Sequence, residues 1–200
     1  MIEKPYAPAC DRNRDPILAV LRKHFADRKH VLEIGGGTGQ HAVYFAKALP
    51  GLIWQTSERA ENLAGIQIWL TEAVLPNTPP PLELDVAIGE WPPAHYDAIF
   101  SANTLHIMSW SEVEKFFAAL PQITTVDAKL AIYGPFNYGG RYTSASNAEF
   151  DQSLQARAPH MGIRDFESVD QLARTAGFAL LEDIAMPANN RCLVWQRTGK

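Results

Sequence analysis

Two hundred residues, 46% of them hydrophobic and 20% charged, are enough for one domain with a sizeable buried core. The net charge of −4 comes with no cluster of Lys and Arg, which argues against an electrostatic nucleic-acid surface. No apolar run approaches the roughly 20 residues that cross a bilayer, and the polar, proline-containing stretch from Met1 to Asp15 lacks the apolar segment of a signal peptide. In chain order, Asp15-Pro16 reads as a helix start, with Asp as N-cap and Pro in the first helical position. Ile17, Val20, Leu21 and Phe25 then fall on one face. His30 to Ile34 is the first expected strand. The helix after it is striped by Ala42, Phe45, Ala46 and Leu49 and stops at Pro50-Gly51. Leu52 to Thr56 is a second strand, and a helix over 61–74 places Leu63, Ile66 and Leu70 together. The prolines from Pro76 to Pro81 mark a surface connection that no helix tolerates.

Leu82–Val86 and Tyr96–Ala102 are the third and fourth strands, and Val113, Phe116, Phe117 and Leu120 define the next helix, with Pro121 near its end. Lys129–Tyr133 is the fifth strand. Helices near 147–158 and 168–176 follow; the second opens with Ser168-x-x-Gln171 as a capping box and closes at Gly177. Phe178–Met186 and Cys192–Gln196 read as strands joined by Pro187-Ala188-Asn189-Asn190 in a hairpin. Strands alternating with helices predict an α/β fold built on a doubly wound, mostly parallel sheet, with one antiparallel strand from the closing hairpin. Cys10 and Cys192 form no metal or redox motif and the six histidines are scattered. No metal is therefore expected, and a cytoplasmic protein is the simplest reading.

Between the first strand and its helix stands Gly35-Gly36-Gly37-Thr38-Gly39, with Glu33 two residues ahead. Glycines let a ligand approach bare backbone, and the helix start offers unpaired N–H groups. A dinucleotide loop reads G-x-G-x-x-G and sets pyrophosphate on those groups. Here the sixth position is Gln40, and a carboxylate at Glu33 repels phosphate, so a nicotinamide-dependent oxidoreductase is disfavoured. A carboxylate suits a cationic ligand. Two further acids, Glu58 and Asp85, follow the second and third strands, at the sheet end where open α/β folds bind ligands.

The spacing E-x-G-x-G-x-G resembles motif I of class I S-adenosylmethionine-dependent methyltransferases. That resemblance implies a single Rossmann-like domain over 1–200, with a seven-stranded sheet in the order 3-2-1-4-5-7-6, its last strand antiparallel, and helices on both faces. It divides the chain into an N-terminal lid loop and helix (1–28), a cofactor-binding core (29–135) and a substrate-side segment with the closing hairpin (136–200). A longer pattern extends the match. Pro5-Tyr6-Ala7-Pro8-Ala9-Cys10-Asp11-Arg12-Asn13-Arg14-Asp15-Pro16-Ile17, Ser101-Ala102-Asn103 with His106-Ile107, Gly134-Pro135-Phe136-Asn137-Tyr138-Gly139-Gly140 and Gly162-Ile163-Arg164-Asp165 resemble the uncharacterised domain-of-unknown-function 938 family over nearly the whole chain. Family members usually carry Glu-Arg-Asn where Asp11-Arg12-Asn13 stands, and Ser-Asp where Ser57-Glu58 stands; both changes keep the charge.

The resemblance implies S-adenosylmethionine as cofactor, with S-adenosylhomocysteine as product. Glu33, Gly35, Gly37, Thr38 and Gly39 would form the loop site, Glu58 would accept from ribose hydroxyls, Asp85 from the adenine amino group, and Val86 would lie against the ring. Asn103, at the end of the fourth strand, would face the methionine part or the acceptor, and Arg12 and Asn13 would fold over the cofactor. His106, with an ordinary pKa of about 6.5, is the first candidate base and Tyr138 the second. Trp110, Asn137, Tyr138, Arg141 and Tyr142 would wall an acceptor pocket. His41 is read chiefly as a packing or capping residue, and His160 carries no functional reading. The aromatics and the lack of an added recognition domain favour a small-molecule acceptor over nucleic acid or membrane. A non-catalytic S-adenosylmethionine-binding protein is the alternative, and oligomeric state is not legible.

Overall fold

Hydrophobic strands buried on both faces need helices on both sides, and the chain supplies them in alternation. The computed structural model describes residues 3–199; Met1, Ile2 and Lys200, the ends of the expected 1–200 unit, lie outside the described residues. The elements run α1 (Pro8–His24), β1 (His30–Ile34), α2 (Gln40–Ala48), β2 (Ile53–Glu58), α3 (Ala60–Ala73), β3 (Leu82–Glu83), β4 (Tyr96–Ala102), α4 (Trp110–Ile123), β5 (Thr124–Gly134), β6 (Phe136–Asn137), α5 (Ala145–Arg157), β7 (Arg164–Asp165), α6 (Phe166–Thr175), β8 (Phe178–Met186) and β9 (Asn190–Arg197). Seven strands form one sheet in the order β3-β2-β1-β4-β5-β9-β8. All pairs from β3 to β5 are parallel, and β9 runs antiparallel to both β5 and β8. This is the expected order, with β9 as the antiparallel strand.

Successive side chains on a strand point to opposite faces, so each central strand feeds two cores. Leu32, Ile99, Leu130, Ile132 and Trp195 pack against Val113, Phe116, Phe117 and Leu120 of α4 and Val169 of α6. Val31, Ala98, Phe100, Ala131 and Val194 pack the other way, against Ile17 and Leu21 of α1, Phe45 of α2 and Ile66 of α3. Between these layers the loops at the carboxyl ends of β1 to β4 converge.

Several boundaries differ from the sequence reading, four of them with a cause visible in the structure. The first helix begins at Pro8 rather than Asp15, and Pro16 sits inside it. Proline lacks the N–H that would bond the Arg12 carbonyl, but Arg12 is on the exposed side and water can meet that group. The third strand stops at Glu83. Leu84 keeps one bond to the Glu58 carbonyl, and then the Asp85 carboxylate accepts the Ala87 N–H at 2.8 Å and turns the chain away. The fifth strand starts at Thr124, straight out of α4, with Pro121 in that helix's last turn. Finally, α6 starts at Phe166 after Asp165, so Ser168 does not cap it. Arg164 and Asp165 are held by pairing with Phe136 and Asn137 in a small parallel ribbon, which sets where the helix begins. The capping box that does form is Ser109 with Glu112, at the start of α4.

Candidate functional site

Backbone contacts shape the glycine loop first. The N–H groups of Gly35 and Gly36 both donate to the Ser57 carbonyl, at 3.1 and 3.0 Å, and Gly39 N–H donates back to Gly36 at 3.0 Å. Gly36 is pressed against β2: a Cβ there would stand 2.2 Å from Thr56 Oγ1. Gly37 has the opposite reason. Its φ is +57°, nothing lies within 4 Å of its missing Cβ, and it borders open space. Gly37 N–H donates to Glu58 Oε2 at 2.8 Å, and Arg59 N–H to Oε1 at 2.9 Å.

That open space is a cavity of about 580 Å³ at the carboxyl ends of the first four strands. Of the candidates, Gly35, Gly37, Thr38, Glu58, Asp85, Val86 and Asn103 line it together. Asn103 adopts φ +57°, a conformation Asn tolerates, with its N–H on the Tyr133 carbonyl at 2.8 Å. Asp85 Oδ2 stands 3.5 Å from Arg59 Nε. Glu112 adds a third carboxylate to the lining, against Arg59 as its one Arg or Lys.

Glu33 lies behind the loop rather than on its surface. It is 1% exposed, with Trp54 Nε1–H donating to Oε2 at 3.0 Å and no cation paired to it among the described residues. Burial pushes its carboxyl up to about 7, against the lowering effect of the Trp54 hydrogen bond. Gly39 likewise packs inward, on Ile66.

The other candidates stand away from the lining. Arg12 is exposed on α1, while Asn13 is buried and its Oδ1 lies 2.7 Å from His41 Nε2. His106 is 6% exposed with its ring edge-on to Phe150, centroids 5.3 Å apart, and burial pulls its pKa down to about 4. The Tyr138 hydroxyl donates to Asp183 Oδ2 at 2.7 Å; burial and that bond push its pKa up, so it is a donor rather than a proton acceptor. Trp110 and Tyr138 pack against the α4 core, Arg141 and Tyr142 are exposed, and Asn137 sits in the small ribbon.

The structure also brings in residues that the sequence reading left out of the site. Ala7, Ala9 and Cys10 cover one side, and burial raises the Cys10 thiol. His41 lines the cavity, stacked on Phe45 at 5.1 Å and kept neutral by burial, with a pKa of about 4. Met108, Glu112, His160 and Met161 close the far side. Arg164 holds that side together: Nε donates to the Leu105 carbonyl at 3.1 Å, and Nη2 to the His160 carbonyl at 2.9 Å and to that of Met108. Ser109-x-x-Glu112 was readable as a cap signal. Nothing local joins His160 to it.

Matched against known families, residues 4–197 fit the model described as a protein of unknown function, DUF938. The chain belongs to the DUF938 family. Its fold is shared with solved methyltransferase structures. An O-methyltransferase family protein from Burkholderia thailandensis superposes with a TM-score of 0.80 at 19% identity, covering 96% of this chain and 58% of that one. The S-adenosylmethionine-dependent methyltransferase SibL gives 0.81 at 21% identity, covering 96% and 56%. PigF with SAH gives 0.76 at 17% identity, covering 91% and 61%. This DUF938 chain therefore has a class I methyltransferase-like fold and spans a little over half the length of these chains.

Proposed function

We propose that the cavity binds S-adenosylmethionine and that this DUF938 protein transfers its methyl group to a small-molecule acceptor. The observation that carries this reading is the Glu58 carboxylate at the cavity, seated on the Gly37 N–H. Gly35, Gly36, Gly37 and Gly39 all have their amides engaged within the protein, so the loop is not a free phosphate nest. Three lining carboxylates against one arginine suit a cation carrying hydroxyl and amino donors. A volume of about 580 Å³ is in the usual range for small-molecule sites. Two of the solved structures named above support the same reading, SibL by its S-adenosylmethionine dependence and PigF by its bound SAH.

When bound, S-adenosylmethionine supplies a sulfonium-activated methyl group. Glu58 would accept from ribose hydroxyls through the lone pairs its backbone donors leave free. Asp85 would accept from an adenine amino group, with Leu84 and Val86 as apolar flanks. Glu33 adds negative charge behind the loop, where it favours a nearby ammonium. Asn103 would orient the reacting end. With His106 buried beside Phe150 off the lining and the Tyr138 hydroxyl committed to Asp183, the chain's main contribution is alignment and proximity, worth up to about 7–11 kcal/mol. That favours acceptors that lose their proton to water or arrive deprotonated.

Calorimetric titration with S-adenosylhomocysteine, beside NADH, tests the cofactor. Micromolar binding of the first alone is expected; binding of NADH instead would overturn the reading. Labelled methyl transfer into metabolite extracts then separates an enzyme from a non-catalytic binding protein.

A further inference from the structure

We propose that residues 4–15 are a hinged strap that closes the cavity and swings on the Asp15–Pro16 junction to let its ligand exchange. The inference rests on that cavity being the ligand site. Three residues of the strap, Ala7, Ala9 and Cys10, line one side of it. Polar and edge contacts hold the strap. The Lys4 ammonium lies 3.6 Å from the Trp69 ring centroid and pairs with Glu72. Trp69 Nε1–H donates to the Pro5 carbonyl at 2.8 Å. The Ala7 N–H donates to Gln40 Oε1 at 2.6 Å, so the residue in the loop's sixth position is a latch. Thr38 Oγ1 donates to the same oxygen at 3.0 Å, tying latch and glycine loop together.

Beyond Pro16 the character of α1 changes. Ile17, Leu18 and Leu21 are 0–5% exposed in the core, whereas before it the one buried residue of the helix is Asn13. Pro16 removes one of the backbone hydrogen bonds that would cross the junction, the one to the Arg12 carbonyl, which makes this the weak point of the helix. A segment held by few apolar contacts opens locally while the core half stays folded.

Gly65 offers the test. It packs under the strap: a Cβ there would stand 2.7 Å from Pro5 Cγ. Gly65→Ala therefore favours α3 as a helix while pushing the strap off. Hydrogen exchange of the ligand-free protein should show amides of 12–15, which have partners within the helix, exchanging at least about tenfold faster than those of 17–24. Gly65→Ala and Gln40→Ala should accelerate the first group alone, with the melting temperature of Gly65→Ala no lower than wild type. In stopped flow, S-adenosylhomocysteine should leave both variants several-fold faster. Equal exchange on the two sides of Pro16, or unchanged release from both variants, would overturn the strap. If S-adenosylhomocysteine does not bind wild type, the cofactor reading falls, and the exchange contrast alone decides the strap.

Discussion

Glu33→Gln isolates the cost of keeping an unpaired carboxyl behind the glycine loop. Burial raises the Glu33 pKa from 4.5 to about 7 in the folded protein. Between those values the native state holds a proton that the unfolded chain has released, so stability falls as pH rises through this window. Below 4.5 both states are protonated and the penalty is absent; above 7 it is complete. A displacement of this size corresponds to about 3 kcal/mol at pH 8. Glutamine keeps an oxygen for Trp54 Nε1–H and carries no charge, so the variant should be more stable than wild type at pH 8 by up to that amount. At pH 4 the two should be nearly equal. Urea denaturation at unit steps from pH 4 to 8 gives the difference curve, in which every other titrating group cancels. A curve flat across that range would refute the argument, because Glu33 would then ionise alike in both states. The same variant should bind S-adenosylhomocysteine more weakly at pH 8, having lost the charge that favours its ammonium.

Glu58→Gln should weaken S-adenosylhomocysteine binding by about 10–100-fold, the value of one or two hydrogen bonds to a charged group; calorimetry that shows no change would remove Glu58 from the site. Gly36→Ala should cost about 1–3 kcal/mol by overpacking against Thr56, read by urea denaturation, and adding Thr56→Ala should recover part of it. Burial lowers the pKa of both His41 and His106 to about 4, so stability should be lost as pH falls from 6.5 towards 4. His106→Asn should flatten that acid limb by one proton's worth of slope, and an unaltered limb would refute the assignment. Tyr138→Phe loses the bond to Asp183 and should cost about 1 kcal/mol, while S-adenosylhomocysteine affinity measured by calorimetry stays unchanged.

Much of the architecture was legible in the sequence because it is written in local periods. Apolar runs such as Val31-Leu32 with Ile34 and Ala98–Phe100 announce buried strands, the stripe Val113-Phe116-Phe117-Leu120 announces a helix face, and Gly35–Gly39 with acids after successive strands announces a ligand-binding end. Fold class and the lining set Gly37, Glu58, Asp85 and Asn103 follow from such signals, given that parallel sheets place all their carboxyl ends together, whereas the strand order was implied by the family resemblance. Where a local rule met a tertiary contact, the contact won. Asp15-Pro16 is a good helix start, yet α1 runs back to Pro8, where Gln40, His41 and Tyr44 of α2 give its first turns partners. Glu33 and Glu58 are both acids at strand ends; only the packed structure puts one under Trp54 and the other at the cavity. His106 and Tyr138 look like bases by residue type, but the fold buries the first against Phe150 and commits the hydroxyl of the second to Asp183. His160 and Met161 reach the lining because the Arg164 guanidinium gathers three carbonyls from two distant loops. Periodicity tells which way a side chain points from its own element. Which neighbour it meets depends on how elements far apart in sequence pack, and that choice sets burial, charge state and access to the cavity.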